Sequence, residues 1–377
     1  MDSSLQRRSF FALAAAPWAG VSLPGLAGEP RPSRLKLAAA WRTAEGTRAV
    51  DHVGVLAVDW QAGSVTVETD IDLDSRAHGL LPQADGDFLV VAARPGRWLM
   101  RVGPQGQVQA RIRVDEETPA RGFGGHVLAS PDGQWLYTTE TDPRDGSGWI
   151  SVRDARSLRR EASWPAHGMD PHHLVLSPDG RSLWLANGGI ARTPEGHKRD
   201  LSGMDASLVQ LALDNGRLLG QWRLNDRRLS IRHLAWNRSA GGEPVLGLAL
   251  QAEHDEASAR RDAPILALWD THQGLRLATR AVAGAGYAGD ISPGPAGGFI
   301  LSGQRTGEGL LWHPDAPDQW ITLARVTEPC ALAAWPDRGG VLIGASRGMA
   351  RWDTREPPAM LPWPQAMNPD NHWVVLG

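Results

Sequence analysis

Short apolar runs separated by tight polar turns recur from residue 35 onward, and two of them are near-copies. Residues 126–140 read HVLASPDGQWLYTTE and residues 173–187 read HLVLSPDGRSLWLAN. An offset of 47 (173 − 126) aligns His126 with His173, Ser130 with Ser177 and Pro131-Asp132-Gly133 with Pro178-Asp179-Gly180. Proline presets φ for a turn, aspartate bonds its own backbone and glycine accepts positive φ, so each PDG closes a hairpin between two strands. Looser copies open at His78 (HGLLP, then FLVVAA), His233 (HLAW, then VLGLALQ), Asp290 (DISP, then FILSGQ) and Cys330 (CALAA, then VLIGAS). Each hairpin leads into a third strand and usually a fourth, as in LVQLAL-DNG-RLLGQWRL over 208–224.

Four-stranded units repeated at this period predict an all-β fold, a β-propeller of the WD40/YVTN-like, quinoprotein amine dehydrogenase-like kind. Blade-like units fall at 35–73, 78–114, 121–165, 171–224, 231–283, 288–327 and 329–363. The first has no opening strand, and the C-terminal NHWVVLG (371–377) has no partner in its own repeat. The two ends are therefore expected to share one blade, which removes an exposed edge. That makes seven blades and one domain over 35–377, about 49 residues per blade. Two polar insertions, 191–207 and 252–264, fall between second and third strands of successive blades and are expected to flank one rim.

Residues 1–27 read as an export signal rather than as fold. Arg7-Arg8-Ser9-Phe10-Phe11 is a twin-arginine core, followed by an Ala-rich apolar stretch and small residues at Gly25-Leu26-Ala27. The apolar stretch is too short and too broken by Pro and Gly to span a membrane. A folded protein exported to a bacterial periplasm, and a monomer there, is the expectation. Cys330 is the only cysteine, so no intramolecular disulfide can form, and its apolar neighbours mark it as a small buried residue. The balance of 39 basic and 42 acidic residues argues against nucleic acid as a partner. Seventeen Trp, recurring in or beside strands, suit the space between twisted sheets.

In a propeller the first strand of each blade lines the axis, so equivalent opening positions converge. His78, His126, His173 and His233 occupy four of the six openings and Asp290 a fifth; His172 and Arg232 stand beside two of them. Imidazoles and carboxylates converging in this way can hold a transition metal. The competing reading is structural: an opening His, as in WD-type repeats, bonds a neighbour to lock blades together, and a packing role would also recur. Glu140 and Asn187 hold matching places at the end of second strands and, with Asp290 and His173, would suit a divalent-cation lactonase-type site. There is no GxSxG, GxxxxGK[ST], HExxH or CxxCH, so serine-hydrolase, nucleotide, zincin and covalent-haem readings lack support.

The twin-arginine start, Gly124-Gly125-His126 before SPDG, Leu136-Tyr137-Thr138-Thr139-Glu140, His167-Gly168-x-x-Pro171-His172, Leu185-Ala186-Asn187-Gly188-Gly189-Ile190 and Ser230-Ile231-Arg232-His233-Leu234 together resemble one family. It is the exported seven-bladed propeller family catalogued as a domain of unknown function. The resemblance covers essentially the whole mature chain; it departs at His172-His173, where an acidic residue more often follows the first His. It implies a setting near imelysin-type, iron-regulated periplasmic proteins and a di-haem oxidoreductase-like protein. The expected function is a periplasmic accessory protein binding a metal (iron or copper) or small ligand at the channel mouth. The alternatives are a metal-assisted, lactonase-like hydrolase or redox propeller, and an interaction scaffold.

Overall fold

The computed structural model describes residues 34–376 apart from 46–47, 118–119 and 336–339. Arg7, Arg8 and the rest of the expected signal lie outside the described residues. Seven four-stranded antiparallel sheets follow one another along the chain, each with its strands in sequential order except the first. There the strand Asn368–Leu376 pairs with Arg34–Glu45 as the innermost strand, so the two ends share blade one. The inner strands of the other blades are Ala77–Pro82, Gly122–Ala129, Pro171–Leu176, Leu229–Arg238, Ile291–Pro293 and Leu332–Trp335. Consecutive inner strands touch all the way round, and the seventh returns to the first.

The second strands explain why the apolar runs are continuous rather than alternating. Phe88, Val90 and Ala92 pack toward blade one, whereas Leu89 and Val91 pack toward blade three. A strand buried on both faces has no polar side to show. Seven apolar clusters result, one in each gap between neighbouring blades. The gap between blades four and five is filled by Trp184, Trp222, Trp236 and Trp269, with Trp184 stacked on Trp222 at 5.2 Å and 4.3 Å from Trp269. Both PDG turns close alike. Ser130 Oγ donates to Asp132 Oδ1 and accepts from Trp135 N, and Ser177 repeats this with Asp179 and Ser182.

The two insertions do share a rim: Lys198 Nζ pairs with Glu253 Oε1 at 2.5 Å. The second insertion contains one helical turn, Ala257–Arg261, with no buried residue, which is why apolar spacing does not betray it. Among the described residues, no helix is long and apolar enough to cross a membrane.

Candidate metal centre

Five of the seven inner strands are bulged, and the bulges aim histidines at the axis. The inner strand of blade two takes three steps, Ala77 to Leu80, where its partner takes two, Ala92 to Val90. Blade three takes four (Phe123 to Val127) against two, blade four three (Pro171 to Leu174) against two, and blade five two (Ile231 to His233) against one. The closing strand of blade one takes four (Pro369 to Trp373) against two. An extra residue breaks the in-out alternation and re-aims a side chain. His78, His126, His172, His173, Arg232, His233 and His372 all lie within or at the end of these bulges. Glycines allow the close approach: Gly125 adopts φ 110°, and a Cβ there would stand 2.7 Å from the His78 ring.

Hydrogen bonds fix which ring nitrogens carry protons. His78 Nδ1 lies 3.0 Å from Asp370 Oδ1 and His372 Nδ1 lies 3.3 Å from Asp290 Oδ2. Carboxylates accept, so both Nδ1 atoms donate and both Nε2 atoms present lone pairs. His172 Nδ1 has Gly124 O at 3.0 Å and Arg94 Nη1 at 3.2 Å, which ask for opposite tautomers. The Gly124 carbonyl can only accept, so its contact is a hydrogen bond when Nδ1 holds the proton; Arg94 Nη1, with one N–H on Asp170 Oδ1 at 3.0 Å, has a second that would serve the opposite tautomer. In the tautomer that serves Gly124, His172 Nε2 is a lone pair as well.

These nitrogens meet each other. The Nε2 atoms of His78 and His172 are 3.4 Å apart, those of His172 and His233 3.2 Å, and those of His233 and His372 3.0 Å. In that tautomer only His233 Nε2 can bring a proton to this chain, and the His78–His172 contact has none. A proton wire would enter each ring at one nitrogen and leave at the other; here every contact is Nε2 to Nε2. Facing lone pairs at such distances repel unless a cation lies between them. Ligand nitrogens at about 2.0–2.1 Å from a tetrahedral ion are roughly 3.3 Å apart, which is the spacing seen. One nitrogen each from His78, His126, His172 and His233 lies within 4.8 Å of the others, and His233, Asp290 and His372 form a second such group sharing His233. His126 Nε2 and His233 Nδ1 are buried with no hydrogen-bond partner.

Burial keeps the imidazoles neutral. It pushes His78 down to about 4 and His173 to about 3, and it holds His126, His172 and His233 well below the usual range, with neighbouring imidazoles adding to it. For His172 the Arg94 guanidinium is the next cause. Neutral imidazoles carry the lone pairs a metal needs.

The residues singled out from sequence divide into two groups. His78, His126, His172, His233 and Asp290 meet on the axis. His173, aligned with His126 by the turn motif, instead accepts the Leu234 N–H on Nδ1 at 3.2 Å, tying blade four to blade five; its neighbour His172 takes the axial place. Arg232 donates from Nη1 to Asp170 Oδ2 at 2.7 Å. Glu140 is fully buried within blade three, its oxygens taken by Arg153, Thr138 and Ser151 at 2.6–2.9 Å. Asn187 donates to Ala166 O at 2.8 Å. Glu140 is thus spent on structure, whereas Asn187 is held by its amide nitrogen alone and keeps a buried Oδ1 without a hydrogen-bond partner. Cys330 is buried, its thiol donating to Gly344 O at 3.3 Å and pushed up to about 12 by burial. His372, Asp370, Asp170 and Arg94 are additions. His372 had a signal, since NHWVVLG is the missing opening strand of blade one.

Fold and site together define a seven-bladed β-propeller with a buried cluster of imidazoles on its axis that can hold a metal ion. The chain belongs to the family described as "Protein of unknown function (DUF1513)", which matches residues 71–376. No curated protein matches the chain. Among solved structures it is similar to Kuenenia stuttgartiensis hydrazine synthase (TM-score 0.58, 15% identity, covering 81% of this chain and 92% of that one). It is also similar to a streptogramin B lyase (0.54, 10%, 78% and 84%) and to virginiamycin B lyase from Staphylococcus aureus (0.55, 9%, 78% and 86%). At these identities the likeness shows the fold alone.

Proposed function

We propose that the protein is an exported propeller that binds a transition-metal ion, iron or copper, through His78, His126, His172 and His233, and that it serves iron handling in the periplasm. One observation carries the metal reading: the Nε2 atoms of His78 and His172 stand 3.4 Å apart and those of His172 and His233 3.2 Å, beside the buried, unpartnered Nε2 of His126. Imidazole suits Cu, Fe, Zn and Ni, and the carboxylate of Asp370 behind His78 raises ligand basicity. The compartment rests on Arg7-Arg8 and the stretch after them. The iron setting, with imelysin-type or di-haem proteins as partners, rests on the family resemblance. The lactonase-like alternative loses support because both oxygens of Glu140 are engaged elsewhere. Elemental analysis of protein purified from its native periplasm tests the reading. About one equivalent of iron or copper is expected, lost in His172→Ala. A protein that arrives metal-free and takes up neither ion overturns it.

A further inference from the structure

Guanidiniums crowd one side of the histidine cluster. Asp170, buried at the start of the inner strand of blade four, receives Arg94 Nη1 and Arg192 Nε on Oδ1, both at 3.0 Å, and Arg232 Nη1 at 2.7 Å and Arg192 Nη2 at 3.3 Å on Oδ2. Four donors fill the acceptor sites of one carboxylate. Arg232 is left with Nε and Nη2 buried and unpartnered. Gly188 makes room for it: a Cβ there would stand 2.4 Å from Arg232 Nη1. Three cations therefore face one anion. Lys198, which pairs with Glu253, is depressed mainly by burial, and Arg232 and Arg192 add to this. Adding Asp290, Asp370 and Arg76 gives four cations (Arg76, Arg94, Arg192, Arg232) against three anions around neutral imidazoles, before any metal enters.

Arg94 and Arg192 come from the loops between second and third strands of blades two and four, and their side chains keep 22% and 15% exposure, so their outer edges can be reached. A cation held by neutral ligands beside surplus guanidinium charge lacks a counter-charge. We propose that Arg94 and Arg192, with Arg232 beneath them, form an oxyanion site beside the histidines, which takes a carboxylate or phosphate group accompanying the metal. Arg94 links the two sites, since its Nη1 also lies 3.2 Å from His172 Nδ1. An anion that draws Arg94 away leaves the His172 Nδ1–H to Gly124 alone, with Nε2 free for the ion. The inference rests on the proposed metal site for its purpose, but not for its test.

Calorimetric titration of metal-free mature protein with inorganic phosphate and with citrate, against a chloride reference, provides that test. One oxyanion per chain is expected, weakened about tenfold or more in Arg94→Gln and Arg192→Gln, as loss of a charge-assisted bond implies, and less so in Arg192→Lys. The stronger of the two ligands identifies the source. His126→Leu should keep the anion while losing the metal. Absence of oxyanion binding, equal competition by chloride, or full binding in both Gln variants overturns the inference. Anion uptake without metal uptake would overturn the metal reading alone.

Discussion

Blades one to five and blades six and seven are built from the same four-stranded unit, yet they meet the axis differently. In the first five the inner strand slips against its partner and delivers an imidazole. In blades six and seven the inner pairing runs without a shift, Ile291 to Leu301 and Leu332 to Ile343, and the polar groups there, Asp290 and Cys330, stand just before the strand. Asp290 spends Oδ1 on its neighbour Ile291 N and uses Oδ2 to hold Leu332 N and to face His372. A regular strand keeps its alternation and serves the fold; a slipped strand gives up a ladder bond to turn a ring toward the axis. If packing alone explained the histidines, they would recur in all seven blades and need no slip.

Removing a ligand from the slipped side should have the largest effect. His126→Leu is expected to abolish metal uptake while leaving metal-free stability unchanged or higher by about 1 kcal/mol, because it deletes a buried, unpartnered Nε2. A large fall in melting temperature without loss of metal would return His126 to a packing role. Gly125→Val attacks the bulge itself. Positive φ and the collision with His78 should cost about 1–3 kcal/mol by chemical denaturation and weaken metal binding, whereas a valine at an open turn such as Gly133 should leave the metal untouched.

Acid should separate the two regions. His78 ionises near 4 when folded and near 6.5 when not, so between those values the unfolded chain holds more protons. Stability of the metal-free protein therefore falls as pH drops through 6.5 toward 4, by roughly 3 kcal/mol from His78 alone. Amide exchange at pH 5 should open the inner strands of blades one to five before those of six and seven. The regular blades give the smallest effects. Asp290→Asn, which frees His372 outside the four-histidine set, should weaken metal binding by less than about tenfold. Cys330→Ala should leave metal content as it is and cost about 1 kcal/mol.

The blades were legible because their signals are local: PDG between apolar runs, and apolar runs without alternation where both faces are buried. The shared blade was legible as a missing strand and a surplus one. The site was legible only in part, because a bulge adds a residue without leaving a mark in composition. Alignment on SPDG therefore singles out His173 as the partner of His126, one residue past the ring that reaches the axis. Glu140 and Asn187 look alike in sequence for a real reason, a shared place in the second strand, but that place faces the sheet interior. Asp170 and Arg94 come from connecting loops whose convergence depends on closure of the whole ring.

That closure couples the ring to its centre. Strand 368–376, which seals blade one, also carries Asp370 and His372, so one segment is both the lock of the ring and part of the axial cluster. Without it blade one loses its inner strand, and His78 has no carboxylate behind it. Fraying at this single seam would therefore loosen the architecture and disarm the axis in the same event.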